Sequence, residues 1–122
     1  MADDAGDIAA RLERAVQHKI VGEYDAAVEL LQSVLADAPE SPDAHHELGL
    51  VYVFTGLFDE STAELEKAVE LSPDTIKFLI DLGKTHTMLG DYDKAIPPFR
   101  RVLSLDPFND EAKKNLDFID PQ

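Results

Sequence analysis

Four histidines and a large excess of carboxylates are the side chains here that could do chemistry. His45 and His46 are neighbours, and His18 and His86 stand alone. On a helix, adjacent side chains point about 100° apart, so His45 and His46 cannot close on one ion as ligands four residues apart do. His18 and His86 fall in apolar helical patterns and read as half-buried packing groups. Glu60, Glu64, Glu66 and Glu70 follow one another on a single stretch and read as the solvated side of a helix. There is no glycine-rich phosphate loop and no nucleophile elbow. The chain has no cysteine, which excludes disulfides, thiolate catalysis and cysteine-held metals. No enzyme, cofactor or metal site is expected within these residues.

The overall charge narrows the partners. With 25 acidic and 11 basic side chains the formal net charge is −14. Nucleic acid, which needs a basic footprint, is not expected as a partner, nor is an anionic membrane surface. The charge fits either adaptation to high salt, with a dense hydrated carboxylate surface, or an ordinary acidic surface. No apolar run approaches the length needed to span a bilayer. The acidic start, Met1 to Asp7, lacks the basic and apolar segments of a signal peptide. A cytoplasmic location is expected, and 122 residues suit one domain.

Those side chains must be positioned by elements, and the elements repeat. Gly22-Glu23-Tyr24-Asp25, Gly56-Leu57-Phe58-Asp59 and Gly90-Asp91-Tyr92-Asp93 share one pattern, with the glycines 34 residues apart. Pro39, Pro73 and Pro107 keep the same interval. So do the small residues Ala15, Gly49 and Gly83, and Ala27, Ser61 and Ala95. Apolar residues at helical spacing fill the segments between. Asp7 is placed to cap the first helix, and Ser41 or Asp43 and Asp74 or Thr75 to open later ones. A fixed period of this length marks a helical repeat array. Pro97 and Pro98, in the first turns of the sixth helix, predict a late start, a kink or a tight first turn near residues 93–98.

Leu79-x-x-Leu82-Gly83-x-x-His86, then Ala95-x-x-x-Phe99 and Pro107, resembles the tetratricopeptide repeat (TPR). The second repeat matches at Leu48, Gly49, Tyr52 and Pro73. The first departs, with Arg14 in the leucine column and His18 in the tyrosine column. Arg11, His45 and Leu79 occupy the tryptophan column. The resemblance covers about residues 8–119. It implies an all-α, right-handed helical-hairpin solenoid with three TPR helix pairs and a short C-terminal capping helix. The expected layout is a flexible acidic segment 1–6, repeats 8–41, 42–75 and 76–109 with a capping helix 110–119 in one TPR domain (7–119), and a tail 120–122. The cap has only Ala112, Leu116, Phe118 and Ile119 for apolar contact.

Helical spacing leaves a second face on the first helix of each pair, opposite the packing residues. It holds Leu12, Val16 and Lys19 in repeat one, His46, Leu50, Val53 and Phe54 in repeat two, and Lys77, Ile80, Lys84, Thr87 and Met88 in repeat three. The resemblance implies that this face lines a concave peptide-binding groove. Ile20, Phe54 and Met88, close to the turns, read as packing between repeats. Leu12, Val16, Leu50 and Val53 read as a partner patch. The cations, with His46, suggest an apolar peptide or helix with some negative charge. TPR domains that clamp the C-terminal carboxylate of heat-shock chaperones use two lysines, two asparagines and an arginine; the corresponding residues here are Leu12, Val16, Glu47, Lys77 and Asp81, so that activity is not expected. The expected function is a protein-protein interaction module, an adaptor or scaffold. The alternatives are self-assembly of a homo-oligomer through the end helices, or an accessory regulatory domain of a larger protein or enzyme complex.

Overall fold

The computed structural model describes residues 7–121. The expected flexible segment 1–6 and the last tail residue, Gln122, lie outside them. Seven helices follow one another: α1 (Ile8–Ile20), α2 (Tyr24–Asp37), α3 (Pro42–Phe54), α4 (Phe58–Leu71), α5 (Ile76–Met88), α6 (Tyr92–Leu105) and α7 (Asp110–Ile119). Among the described residues there is no strand.

Capping side chains set several of the starts. Asp7 Oδ1 accepts from Ala10 N at 3.0 Å, Ser41 Oγ from Ala44 N at 3.2 Å and Asn109 Oδ1 from Ala112 N at 2.9 Å. Pro42 stands at the first position of α3, where its missing N–H would have had no partner. Thr75 precedes α5 without capping it; its hydroxyl meets Ser72 Oγ at 2.6 Å instead.

Each hairpin turns the same way. Gly22, Gly56 and Gly90 have φ of 84°, 80° and 80°. Glu23 N donates to His18 O, Leu57 N to Tyr52 O and Asp91 N to His86 O, at 2.8 to 2.9 Å, while each glycine N–H bonds the carbonyl three residues back. This is the paired hydrogen bonding of a Schellman motif, which needs a left-handed residue just past the helix end. The repeated glycine of the sequence is therefore a helix stop.

The chain divides into two compact units, the first ending at Leu71 and the second beginning at Ser72. In the first, α1 packs on α2, α2 on α3, α3 on α4, and α1 touches α3. Ala15, Ala27, Leu31, Val34, Ala44, Leu48 and Val51 form its core, with Leu12, Tyr24, Val28 and Tyr52 packed against them. In the second, α5 packs on α6 and α6 on α7, and α5 touches α7. Phe99, Val102, Ala95 and Ala112 are fully buried there. Burying a side chain such as Leu31 or Phe99 contributes roughly 2 kcal/mol each.

The small-residue columns explain how closely the pairs approach. A Cβ on Gly49 would lie 2.7 Å from Leu65 Cγ, and one on Gly83 2.7 Å from the Phe99 ring. Ser61 and Ala95, in the facing helices, are fully buried. The capping helix α7 buries Ala112 and Ile119, leaves Leu116 half-buried and exposes Phe118, whose ring meets Tyr92 edge-on at 6.3 Å.

Pro97 and Pro98 do not delay α6, which begins at Tyr92, in step with Tyr24 and Phe58. The first turn is tight instead. Lys94 N and Ala95 N both bond Asp91 O at 3.0 Å, combining a three-residue and a four-residue step. The prolines remove the ladder donors for the Asp93 and Lys94 carbonyls. Both of those residues are exposed, so water can take over the two acceptors.

Candidate functional site

The expected groove residues lie on α1 and α3 in the first unit and on α5 in the second. Val16, Leu50 and Val53 are half-buried, and Phe54, at the end of α3, is 60% exposed. Leu12 is half-buried against the core. His46, one repeat on, is 2% exposed, and Ile80, one repeat further, is also buried. The column Leu12/His46/Ile80 thus belongs largely to packing. For His46 the reason is geometric. α3 is in contact with α1, α2 and α4, so the arc left free on it is narrower than the pattern of residue types suggests.

Ile20, Phe54 and Met88 differ from expectation in the opposite direction. They are 67%, 60% and 54% exposed, so contact between repeats does not bury them. Phe54 does keep one such contact: its ring stacks on Tyr24 of α2, centroids 5.7 Å apart and planes 12° from parallel. The other ring face is left for solvent or a ligand.

The lysines are engaged. Lys19 Nζ of α1 donates to Glu47 Oε1 of α3 at 2.6 Å, with both side chains mostly shielded from water. Burial alone would raise the Glu47 carboxyl. The His46 ring 3.7 Å away and the Lys19 ammonium outweigh it and bring Glu47 down to about 2. In the second unit Lys84 Nζ donates to Glu111 Oε2 of α7 at 3.0 Å, in a more open setting. Lys77 is exposed, its Nζ 5.9 Å from the centroid of Phe78. Thr87 is half-buried, its hydroxyl donating to Gly83 O at 2.8 Å.

Two members of the tryptophan column tie the helices of a pair together. Arg11 is buried, donating to Asp37 Oδ2 at 2.8 Å and Ser33 Oγ at 3.1 Å. His45 places Nδ1 2.6 Å from Glu64 Oε1 and Nε2 2.8 Å from Pro39 O. His86 is buried, more deeply than the half-buried position expected of it, and His18 is half-buried with Nδ1 2.7 Å from Glu23 Oε1. Among the described residues no group of three or more His, Asp or Glu is arranged to hold a metal ion.

Sequence reasoning treated Glu47 only as a mismatch to a carboxylate clamp and missed its pairing. A weak signal was present: Lys19–Glu47 and Lys84–Glu111 are opposite charges at nearly the same separation, 28 and 27 residues, on helices that touch.

Helix hairpins closed by Schellman glycines, with small residues where the helices cross, define a helical-repeat protein. Tetratricopeptide repeat profiles match residues 21–79 and 76–109, and the chain belongs to the tetratricopeptide repeat family. Similar proteins include the BBSome complex member BBS4 of Mus musculus, 27% identical over 100 residues; the match takes in 82% of this chain but 19% of BBS4. A MamA mutant is 30% identical with a TM-score of 0.77, over 98% of this chain and 69% of that one. The first TPR of Spaghetti (RPAP3), solved with the HSP90 peptide SRMEEVD, superposes with a TM-score of 0.86 at 23% identity, over 95% of this chain and 92% of that one. TPR proteins mediate protein–protein interaction. Among the described residues no helix is long and apolar enough to cross a membrane.

Proposed function

We propose that the chain is an adaptor that holds a partner peptide or helix along the first-helix faces, with apolar contacts as the main source of affinity. The observation that carries this reading is the strip Val16, Leu50, Val53 and Phe54 in the first unit. Its outermost ring is 60% exposed although it is already held on one side by Tyr24. A rigid aromatic that loses little freedom on binding is a favourable anchor. In the second unit Lys77, Lys84, Thr87 and Met88 would serve the same role on α5. Lys19 and Lys84 already have carboxylate partners, so any anionic group of the ligand would rest chiefly on Lys77. Glu47 and Asp81 stand where a carboxylate clamp needs donors, so the proposed ligand is not a C-terminal carboxylate. The Spaghetti TPR, solved with an HSP90 peptide, is a precedent for peptide binding by this fold.

The test is affinity capture with the native chain beside a Leu50→Asp/Val53→Asp variant of matched helical content. Partners should be lost from the variant. Partners retained equally by both would place the site elsewhere.

A further inference from the structure

We propose a second docking surface, on the second-helix side of the first unit, for a basic amphipathic segment of a partner protein. It is separate from the first-helix strip and does not depend on that reading. A cleft of ≈ 320 Å³ lies between α2 and the end of α3, lined by Asp25, Val28, Glu29, Tyr52 and Leu57, with Gln32 and Thr55. Its apolar part is Val28, Tyr52 and Leu57; Leu57, in the α3–α4 turn, is 45% exposed. Asp25 and Glu29, one turn apart on α2, are both exposed at its rim.

The charge pattern specifies the occupant. Between Lys19 and Lys67 the sequence holds eleven carboxylates and no lysine or arginine. Some of these are neutralised from elsewhere, Asp37 by Arg11 and Glu47 by Lys19, while His45 sits on Glu64. The two carboxylates at the cleft have no such partner among the described residues. An apolar cleft with an acidic rim and no cation of its own is complementary to a segment that presents an apolar side chain flanked by lysine or arginine. An acidic segment would be repelled. A second copy of this chain would bring its own carboxylates to the rim, so it fits no better.

The probe is a fluorescein-labelled designed helix with leucines on one face and lysines on the other, followed by anisotropy. The same peptide with glutamate for lysine is the control. The lysine peptide should bind and the glutamate peptide should not. Asp25→Asn/Glu29→Gln should weaken binding about fivefold, the size expected for two partly exposed ion pairs. Glu40→Gln/Asp43→Asn, an equal change of charge outside the cleft, should weaken it less than about twofold. Leu57→Ser leaves the charge intact and lies in an exposed turn, and it should also weaken binding by about fivefold at unchanged helical content. Equal losses in the two double variants would reveal diffuse attraction and overturn the proposal. So would an unaffected Leu57→Ser variant, absence of lysine-peptide binding, preference for the glutamate peptide, or a dimer of the free chain that Leu57→Ser dissociates.

Discussion

Lys19 and Glu47 meet at 2.6 Å across α1 and α3, both mostly shielded from water. The pair braces two first helices against each other. A buried pair of this kind stabilises little beyond an apolar pair of equal volume, but breaking it is costly because one charge is left stranded.

The pH dependence follows from the Glu47 carboxyl, which lies at about 2 against an ordinary 4.5. A lowered carboxylate contributes stability that is fully present above the unfolded value and is lost as pH falls through the folded one. The loss should therefore run from pH 4.5 down to about 2 and amount to on the order of 3 kcal/mol at most. Urea unfolding across that window should show a steeper decline for the native chain than for Glu47→Gln. Parallel curves would mean that the pair does not couple to folding.

Arg11 and Asp37 should respond unequally to removal. Arg11 is buried, whereas the Asp37 side chain is 55% exposed. Asp37→Ala strands a guanidinium in the core and should cost about 2–3 kcal/mol. Arg11→Leu leaves a carboxylate that water can solvate and should cost about 1 kcal/mol or less. Equal losses by chemical denaturation would contradict the asymmetry.

Gly83→Ala should destabilise by about 1–3 kcal/mol through overpacking, even though alanine favours a helix by about 1 kcal/mol over glycine. The new Cβ would meet the buried Phe99 ring, which has little room to yield. Gly49→Ala would meet Cγ and Cδ2 of the buried Leu65 at 2.7 and 2.8 Å and the Ser61 carbonyl at 3.2 Å, and should lose a comparable amount. The measurement is the urea midpoint of each variant, and a stabilised Gly83→Ala chain would refute the close approach.

Pro97→Ala should stabilise α6. It restores a donor to the Asp93 carbonyl at an exposed position, and the gain should be about 1 kcal/mol after the added freedom of the unfolded chain is counted. Thermal melting should show a higher Tm; a lower one would mean that the proline helps to set the first turn.

The periodic parts of the structure were legible in the sequence because each is fixed within one repeat. Gly56, Pro73 and Ser61 sit where a 34-residue step demands, and their roles follow from local geometry. The Arg11 departure was visible, but Asp37 as its partner was not, since that contact depends on how one helix lies against the next. The candidate face was only partly legible. Val16 and Leu50 keep part of their surface and Phe54 most of it, as the spacing implies, whereas His46 disappeared because α3 shares its circumference with three neighbours. The neutralised charge of Lys19 and Lys84 was signalled only loosely: each lysine reaches a carboxylate on the helix two further on, at separations of 28 and 27 residues, so no fixed column marks the pairs.

The glycines divide into two kinds, and this bears on how such a sequence can drift. Around Gly22, Gly56 and Gly90 an added Cβ meets nothing within 4 Å, and the positive φ alone restricts the choice. Asparagine tolerates that torsion best among the other residues, so these sites have a neighbouring sequence through which a lineage can pass. Gly49 and Gly83 are restricted by volume, and every exit from them is larger. Change at the hairpin turns can therefore come singly, whereas change at a helix crossing requires Leu65 or Phe99 to alter with it.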